Sequence, residues 1–237
     1  MIQTFSFSDK GSRVENQDFY CLEIFGDRLF AAVADGVGGN NGGGFASRFA
    51  IEMMLDGIHK GSDLNECVDS AHYGILAKAG EMPELKGMAT TLTALVCNGT
   101  AITGIHCGDS RAYVLRGNGL KQLTTDHTEV ARLLSEGRIT KEEAVDYPRK
   151  NVITNALGTS KKLIKQFFEF DILSGDRLLL LTDGVYSQLL KPDIQRQSAI
   201  TPDLNIFCKK LLAEVVDRGV TDNFTLLGVQ FEYDRNP

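Results

Sequence analysis

The sequence predicts an α+β protein in which helices pack outside antiparallel β-sheets. Strand patterns meet at tight-turn signals in the middle of the chain, and helical patterns come in blocks between runs of strands instead of alternating with single strands. The chain has 237 residues, 43% of them hydrophobic, which is enough to bury a full core. No repeat, low-complexity tract or linker interrupts it, so one compact domain over 1–237 is expected.

Taken in order, strands are expected over 2–8, 19–25 and 29–34, several of them alternating as half-buried strands do. A helix follows over 45–58, where Phe45, Phe49, Met53 and Met54 share a face. A second helix, over 64–78, is opened by Asp63 with Glu66 as a capping box. The segments "TLTALVC" and "TAITGIHC" flank Asn98-Gly99, and "RAYVLR" and "LKQL" flank Gly117-Asn118-Gly119. Asn-Gly between strand patterns is the strongest short-range mark of an antiparallel hairpin. Residues 126–157 differ: they are rich in charge, carry a second capping box at Thr140 and Glu143, and read as a short helical excursion near one edge of the sheets. Strands over 166–172 and 177–182 come next. The last helix spans 203–217, with Thr201 as N-cap, Pro202 in its first turn and Gly219 beyond its end, and a strand over 225–233 follows.

Several classes of function are excluded. A formal charge of -6 without a clustered basic face argues against nucleic-acid binding. The start, "MIQTFSFSDKGSR", lacks a basic leader and an apolar core, so it does not read as a signal peptide. No stretch approaches the ~18 apolar residues of a membrane helix. Cys21, Cys67, Cys97, Cys107 and Cys208 are odd in number and contain no C-x-x-C pair, which suits reduced thiols, small core residues and a cytoplasmic protein.

Four aspartates share one context. Asp35 ends "LFAAVA", Asp109 follows "AITGIHCG", Asp183 ends "LLLLT", and Asp222 precedes "NFTLLGVQF". Buried strands bring their ends together, and carboxylates gathered at one rim repel each other and lose solvation unless a cation offsets them. An oxygen-only set suits Mg²⁺ or Mn²⁺ better than zinc. Glycines after Asp35 and Asp183 let the backbone approach an ion. Any one Asp-Gly pair alone reads more simply as a turn, Asp222 as a turn before the last strand and Asp109 as a cap of its own loop. Four repeats of one context shift the balance toward a site. Arg13 in "GSRVENQD" can clamp two phosphate oxygens, or can pair with Glu15 at the surface; Asp18 is either part of the site or a cap at a strand start.

Other schemes fit poorly. No cysteine has an arginine six positions on, and "GVGGNNGGG" is neither a P-loop nor a dinucleotide fingerprint. His59, His72, His106 and His127 lack ligand spacing. His127, in "TDHT", stays open as a proton-transfer or loop-fixing residue.

The series "RVENQD", "VADGVGG", "GMATTLTALV", "GDSRAYVLR", "LTTDHT", "NVITNALG", "LLLLTDGV" and "TDNFTLLGV" closely resembles, in order and spacing, the bacterial members of the PP2C (PPM) family of metal-dependent protein phosphatases, from about Asp9 to Phe231. The resemblance implies a four-layer αββα sandwich of two antiparallel sheets flanked by helices, with 126–157 as a mobile flap. It implies hydrolysis of phosphoserine and phosphothreonine in proteins by a bridging water activated by two or three Mn²⁺ or Mg²⁺ ions. On this sequence Asp35 would bridge two metals, the Gly36 carbonyl would bind one of them, and Asp183 and Asp222 would complete the other. Asp18 would act through water, Arg13 would clamp the phosphate, and Asp109 with Asp183 would hold a third ion. The implied partners are phosphorylated protein substrates and a cognate Ser/Thr kinase, with no nucleic acid and no membrane. Three positions depart from the pattern: Gln17 stands for a common glutamate, Val37 for a histidine of eukaryotic members, and Gly44 for a frequent bacterial glutamate. A catalytically silent binding module and a hydrolase of small phosphoesters are the competing readings.

Overall fold

The computed structural model describes residues 2–37, 42–159 and 162–232. The strands are β1 (Ile2–Asp9), β2 (Asp18–Phe25), β3 (Arg28–Val37), β4 (Ala89–Thr90), β5 (Leu92–Asn98), β6 (Ala101–Cys107), β7 (Arg111–Arg116), β8 (Gly119–Gln122), β9 (Gln166–Asp171), β10 (Arg177–Leu181) and β11 (Phe224–Phe231). The helices are α1 (Gly42–His59), α2 (Leu64–Glu81), α3 (Glu129–Ser135), α4 (Lys141–Val145), α5 (Asp183–Tyr186), α6 (Lys191–Ile200) and α7 (Leu204–Asp217). One sheet has the order β1-β11-β10-β7-β8 and the other β2-β3-β5-β6-β9, with β4 on β3; every pairing is antiparallel.

Side-chain alternation along the central strands builds the layers. On β3, Leu29, Ala31 and Val33 point between the sheets, while Phe30, Ala32 and Ala34 pack under α1 and α2. On β10, Leu178 and Leu180 face the other sheet, while Leu179 and Leu181 face Phe207 and Leu211 of α7. The four leucines are therefore buried on both faces, which stabilises the strand by roughly 1.5–3 kcal/mol per side chain. The result is a helix–sheet–sheet–helix sandwich, as the resemblance implies.

Local details correct several sequence expectations. The helix α1 begins at Gly42, inside the glycine run, because Gly42 and Gly43 lie against Met88 and Gly36 with no room for a Cβ. Its fully buried face is Ala46, Ala50, Ile51, Met54 and Ile58; Phe45, Phe49 and Met53 are only partly buried and pack at its flank. The α7 N-cap is Asp203, which accepts from Ile206 N, not Thr201, whose carbonyl is taken by buried Arg177. The central turn is Gly99-Thr100, one residue later than expected, since Asn98 still pairs with Ala101. Helix α6 was not legible, having Ile194 as its one buried residue. The capping boxes at Asp63–Glu66 and Thr140–Glu143 both form. Residues 38–41 of the glycine-rich run, and Tyr233 at the expected end of the last strand, lie outside the described residues.

Candidate metal centre

The site lies where five chain segments meet at one rim of the sandwich. Antiparallel register sets Asp18, the first residue of β2, opposite Asp35 near the end of β3. Asp183 opens α5 directly after β10, and Asp222 precedes β11, the strand that pairs with β10. Asp109 sits in the turn from β6 to β7.

Backbone contacts fix these positions. Asp35 N donates to Thr91 Oγ1 (2.9 Å), and Asp35 O accepts from Thr91 N and from Thr90 Oγ1, both at 2.9 Å. Gly36 N donates to Gln17 O at 3.1 Å, and a Cβ on Gly36 would stand 2.3 Å from the Gly43 backbone. Only glycine allows α1 to approach β3 so closely. Asn223 holds the loop before β2: its Nδ2 donates to Lys10 O (2.9 Å) and Glu15 O (2.8 Å), and its Oδ1 accepts from Gln17 N (2.8 Å).

The carboxylates carry an excess of uncompensated charge. Asp18 is 5% exposed; its Oδ2 accepts from Thr182 Oγ1 and Thr225 Oγ1, each at 2.7 Å, while its Oδ1 has no partner. Burial pushes its pKa up to about 7 against those two hydroxyls, with Asp183 and Asp222 adding to the rise. Asp109, also 5% exposed, is pushed up to about 7 by burial and by Asp183 and Asp126, and its Oδ1 is likewise unpartnered. Burial raises Asp35 and Asp183 too; Asp35 feels Asp18, Asp183, Asp109 and Asp222 in turn. Asp183 Oδ1 is the third buried carboxylate oxygen without a hydrogen bond. Buried carboxylates that repel each other and leave oxygens bare fit a hard divalent cation.

Six of the seven expected residues thus feel one another's charge, and the seventh, Gly36, adjoins Asp35. Arg13 pairs with Asp222 and not with Glu15, and it also feels Asp183 and Asp35. As the side chains stand, no three Asp, Glu, His or Cys groups among the described residues form a ready ligand set, and Asp222 is turned toward Arg13. Of the departures, Gln17 serves through its backbone, accepting from Ser47 Oγ at 2.6 Å. Gly44 has ordinary contact room for a side chain, with Asn16 O 3.6 Å from a Cβ placed there. The histidines take structural roles: His59 meets Glu23, His72 accepts from Gly158 N, and His106 bonds Thr93 and Thr125 O. Sequence reasoning missed Thr182, Thr225, Asn223 and Thr91, short polar residues with no spacing that marks them. A groove of about 650 Å³ at the opposite ends of β3 and β5, lined by Arg28 and Asn98, contains none of the seven.

The model described as protein phosphatase 2C matches residues 9–219. The chain belongs to that family. It is 34% identical over 227 residues to serine/threonine protein phosphatase PstP of Mycobacterium tuberculosis, an alignment that covers 93% of this chain and 43% of that one. It is 30% identical over 232 residues to serine/threonine phosphatase stp of Listeria monocytogenes, covering 94% and 89%. The chain therefore spans less than half of the mycobacterial relative. A solved structure of the PstP catalytic domain in complex with 2 manganese ions superposes with a TM-score of 0.82 at 30% identity, covering 98% of this chain and 99% of that one. The family's dependence on divalent metal agrees with the bare carboxylate oxygens of Asp18, Asp109 and Asp183.

Proposed function

We propose that this chain is a metal-dependent protein serine/threonine phosphatase, acting as one catalytic domain over 1–237. The observation that carries the reading is the rim of buried and half-buried carboxylates around Asp35, with Arg13 as the cation facing it. Asp35, the Gly36 carbonyl, Asp183 and Asp222 are the groups that would hold two Mn²⁺ or Mg²⁺ ions, and Asp109 with Asp183 a third. Bound divalent cations supply Lewis acidity and a water acidified enough to attack phosphorus at neutral pH.

The chain's own residues do the rest. The planar Arg13 guanidinium presents two parallel N–H donors, already used in that geometry on Asp222, and can take two phosphoryl oxygens in the same way. Asp18 has Oδ2 saturated by two threonine hydroxyls, so Oδ1 is the atom free to orient water or accept its proton. No cysteine competes as nucleophile, since burial raises the thiols of Cys21, Cys67, Cys97, Cys107 and Cys208. Phosphoproteins are the proposed substrates, a Ser/Thr kinase the proposed opposing partner, and the cytoplasm the proposed location. No helix of the described residues is long and apolar enough to cross a membrane.

The test is phosphate release from a phosphothreonine peptide by the wild type and by Asp183→Asn, with EDTA or with added Mn²⁺. Turnover that needs metal and collapses in the variant supports the reading. Metal binding without release from any phosphopeptide favours the silent module, and preference for nucleotides or other small phosphoesters favours the third reading.

A further inference from the structure

The outer face of the β2-β3-β5-β6-β9 sheet is not covered to its edge. Helices α1 and α2 pack over Phe30, Ala94 and Val96 of β3 and β5, and beyond them the outward side chains Ala101 and Thr103 of β6 and Phe167 and Glu169 of β9 are exposed. The turn from α1 to α2 overhangs this strip, and the two enclose the groove of about 650 Å³ at the end of the sheet away from the carboxylate rim. An ion pair ties its two walls together: Lys165, one residue before β9, reaches Asp69 Oδ1 of α2 at 2.7 Å and also donates to Asn65 Oδ1. The groove is therefore built into the fold, as small-molecule sites are.

Register puts Arg28, Asn98, Ala101 and Asp171 in one row across four strands. Strands stand about 4.8 Å apart, so the ends of the row are about 14 Å apart, the length of a small organic molecule. At one end is an unsatisfied cation. Among the described residues every other arginine meets a carboxylate or a backbone carbonyl, whereas the Arg28 guanidinium has no acceptor and its Nε is buried. It lies 5.3 Å from the centre of the Phe25 ring, which positions it but supplies no anion. Asp63, in the overhanging turn, is turned to its own helix, with Oδ1 accepting from Glu66 N at 2.8 Å. A buried donor without acceptor is costly, and a carboxylate satisfies a guanidinium at two points. At the other end Glu169 and Asp171 are exposed acids, which repel any second negative charge.

We propose that this groove is a binding site for a small organic monocarboxylate, whose anionic group meets Arg28 and Asn98 and whose apolar body lies on Ala101, Thr103 and Phe167. The lone cation selects one negative charge, the floor selects the apolar body, and the acids at the far end reject polyanions. None of these residues belongs to the carboxylate rim, so the site is independent of the phosphatase reading.

The test uses the whole chain in EDTA. The sequence has no tryptophan, so Phe167→Trp places a lone fluorescent reporter at the exposed edge of the groove. The probes are 4-phenylbutyrate, its neutral counterpart 4-phenylbutanol, and the tricarboxylate trimesate. In this background phenylbutyrate binds at least about tenfold tighter than the alcohol or trimesate. Arg28→Gln abolishes the preference for acid over alcohol, and Arg28→Lys, a single point donor, keeps about threefold of it. Arg13→Gln changes nothing, which separates the groove from the proposed phosphate clamp. Equal affinity for acid and alcohol, a preference that survives Arg28→Gln, or its loss in Arg13→Gln overturns the proposal. If Arg28→Gln does not fold, Thr103→Glu at the exposed floor decides: the acid weakens at least about tenfold while the alcohol stays within about threefold, and equal effects on both overturn the proposal. Calorimetry on the wild type guards against a silent reporter, because no saturable phenylbutyrate binding up to about 10 mM overturns it as well.

Discussion

Arg13 and Asp222, 209 residues apart in sequence, meet in a two-point ion pair, Nε to Oδ1 at 2.9 Å and Nη2 to Oδ2 at 2.6 Å. The pair is half exposed, so solvent screens it and its worth to stability is small, about 0–1 kcal/mol. Its interest is chemical, because each partner is assigned another role. On the proposed roles, a cation that took Asp222 would free the Arg13 fork, and a phosphate that took the fork would free Asp222.

Arg13→Lys tests the fork. Lysine keeps the charge but offers a single point donor instead of two parallel N–H groups. The expected result is a loss of roughly 10–100-fold in kcat/KM on a phosphothreonine peptide, with a raised KM and unchanged thermal stability. Steady-state kinetics beside a melting curve checks it, and wild-type kcat/KM would remove Arg13 from phosphate binding.

A pH effect follows from Asp18 and Asp109, both pushed from 3.8 up to about 7 by burial. Between those values the folded, metal-free protein holds protons that the unfolded chain has released, so stability is present below the lower value and is lost as pH rises through the upper one. The metal-free protein should melt higher at about pH 5 than at about pH 8, and Mn²⁺ should reverse the order by offsetting the carboxylates at the higher pH. Melting temperatures with and without Mn²⁺ at the two pH values decide it; a flat metal-free profile would count against the buried cluster.

Thr225→Val removes one of the two hydroxyl donors to Asp18 Oδ2 at nearly constant volume. The hydroxyl holds the Asp18 carboxyl down, so its loss raises that carboxyl further and leaves more of it protonated at neutral pH. Mn²⁺ binding should weaken by roughly 3–30-fold, more severely at lower pH. Calorimetry across a pH series measures this, and a pH-independent loss would mean that the threonine acts by packing alone.

Gly184→Ala should be damaging although no side chain is lost. A Cβ there would stand 2.0 Å from Asn223 O and 3.0 Å from Phe224 Cβ, so α5 or the Asp222–Asn223 turn must shift. A destabilisation of about 2–4 kcal/mol is expected, read from urea unfolding, with weaker Mn²⁺ binding because Asp183 and Asp222 lie on the two displaced segments.

What was legible in the sequence is what repeats. Asp35, Asp109, Asp183 and Asp222 stand out because each adjoins an apolar run, and burial of that run fixes where the carboxylate goes. Capping boxes are local and survive folding unchanged, and the central hairpin forms where expected with its turn moved by one residue to Gly99-Thr100. Partners were not legible. Arg13 has Glu15 two residues away and chooses Asp222, and Asp18 is held by Thr182 and Thr225, 164 and 207 residues distant. Helix α6 escaped notice because its surroundings, not an apolar stripe, make it a helix. The α7 cap was misplaced because Thr201 and Asp203 are both good caps, and only the buried Arg177, which takes the Thr201 carbonyl, tells them apart.

Asn223 gathers Lys10, Glu15 and Gln17, while β11 lies between β1 and β10 at the centre of its sheet. During synthesis β1 leaves the ribosome long before β11, the strand it pairs with. Contacts that span such a length form late and slowly. A nascent or prematurely ended chain that stops before Asp222 would have neither that carboxylate nor the Asn223 clamp on the Arg13 loop, so the proposed phosphatase activity would first emerge when translation of the domain is almost over.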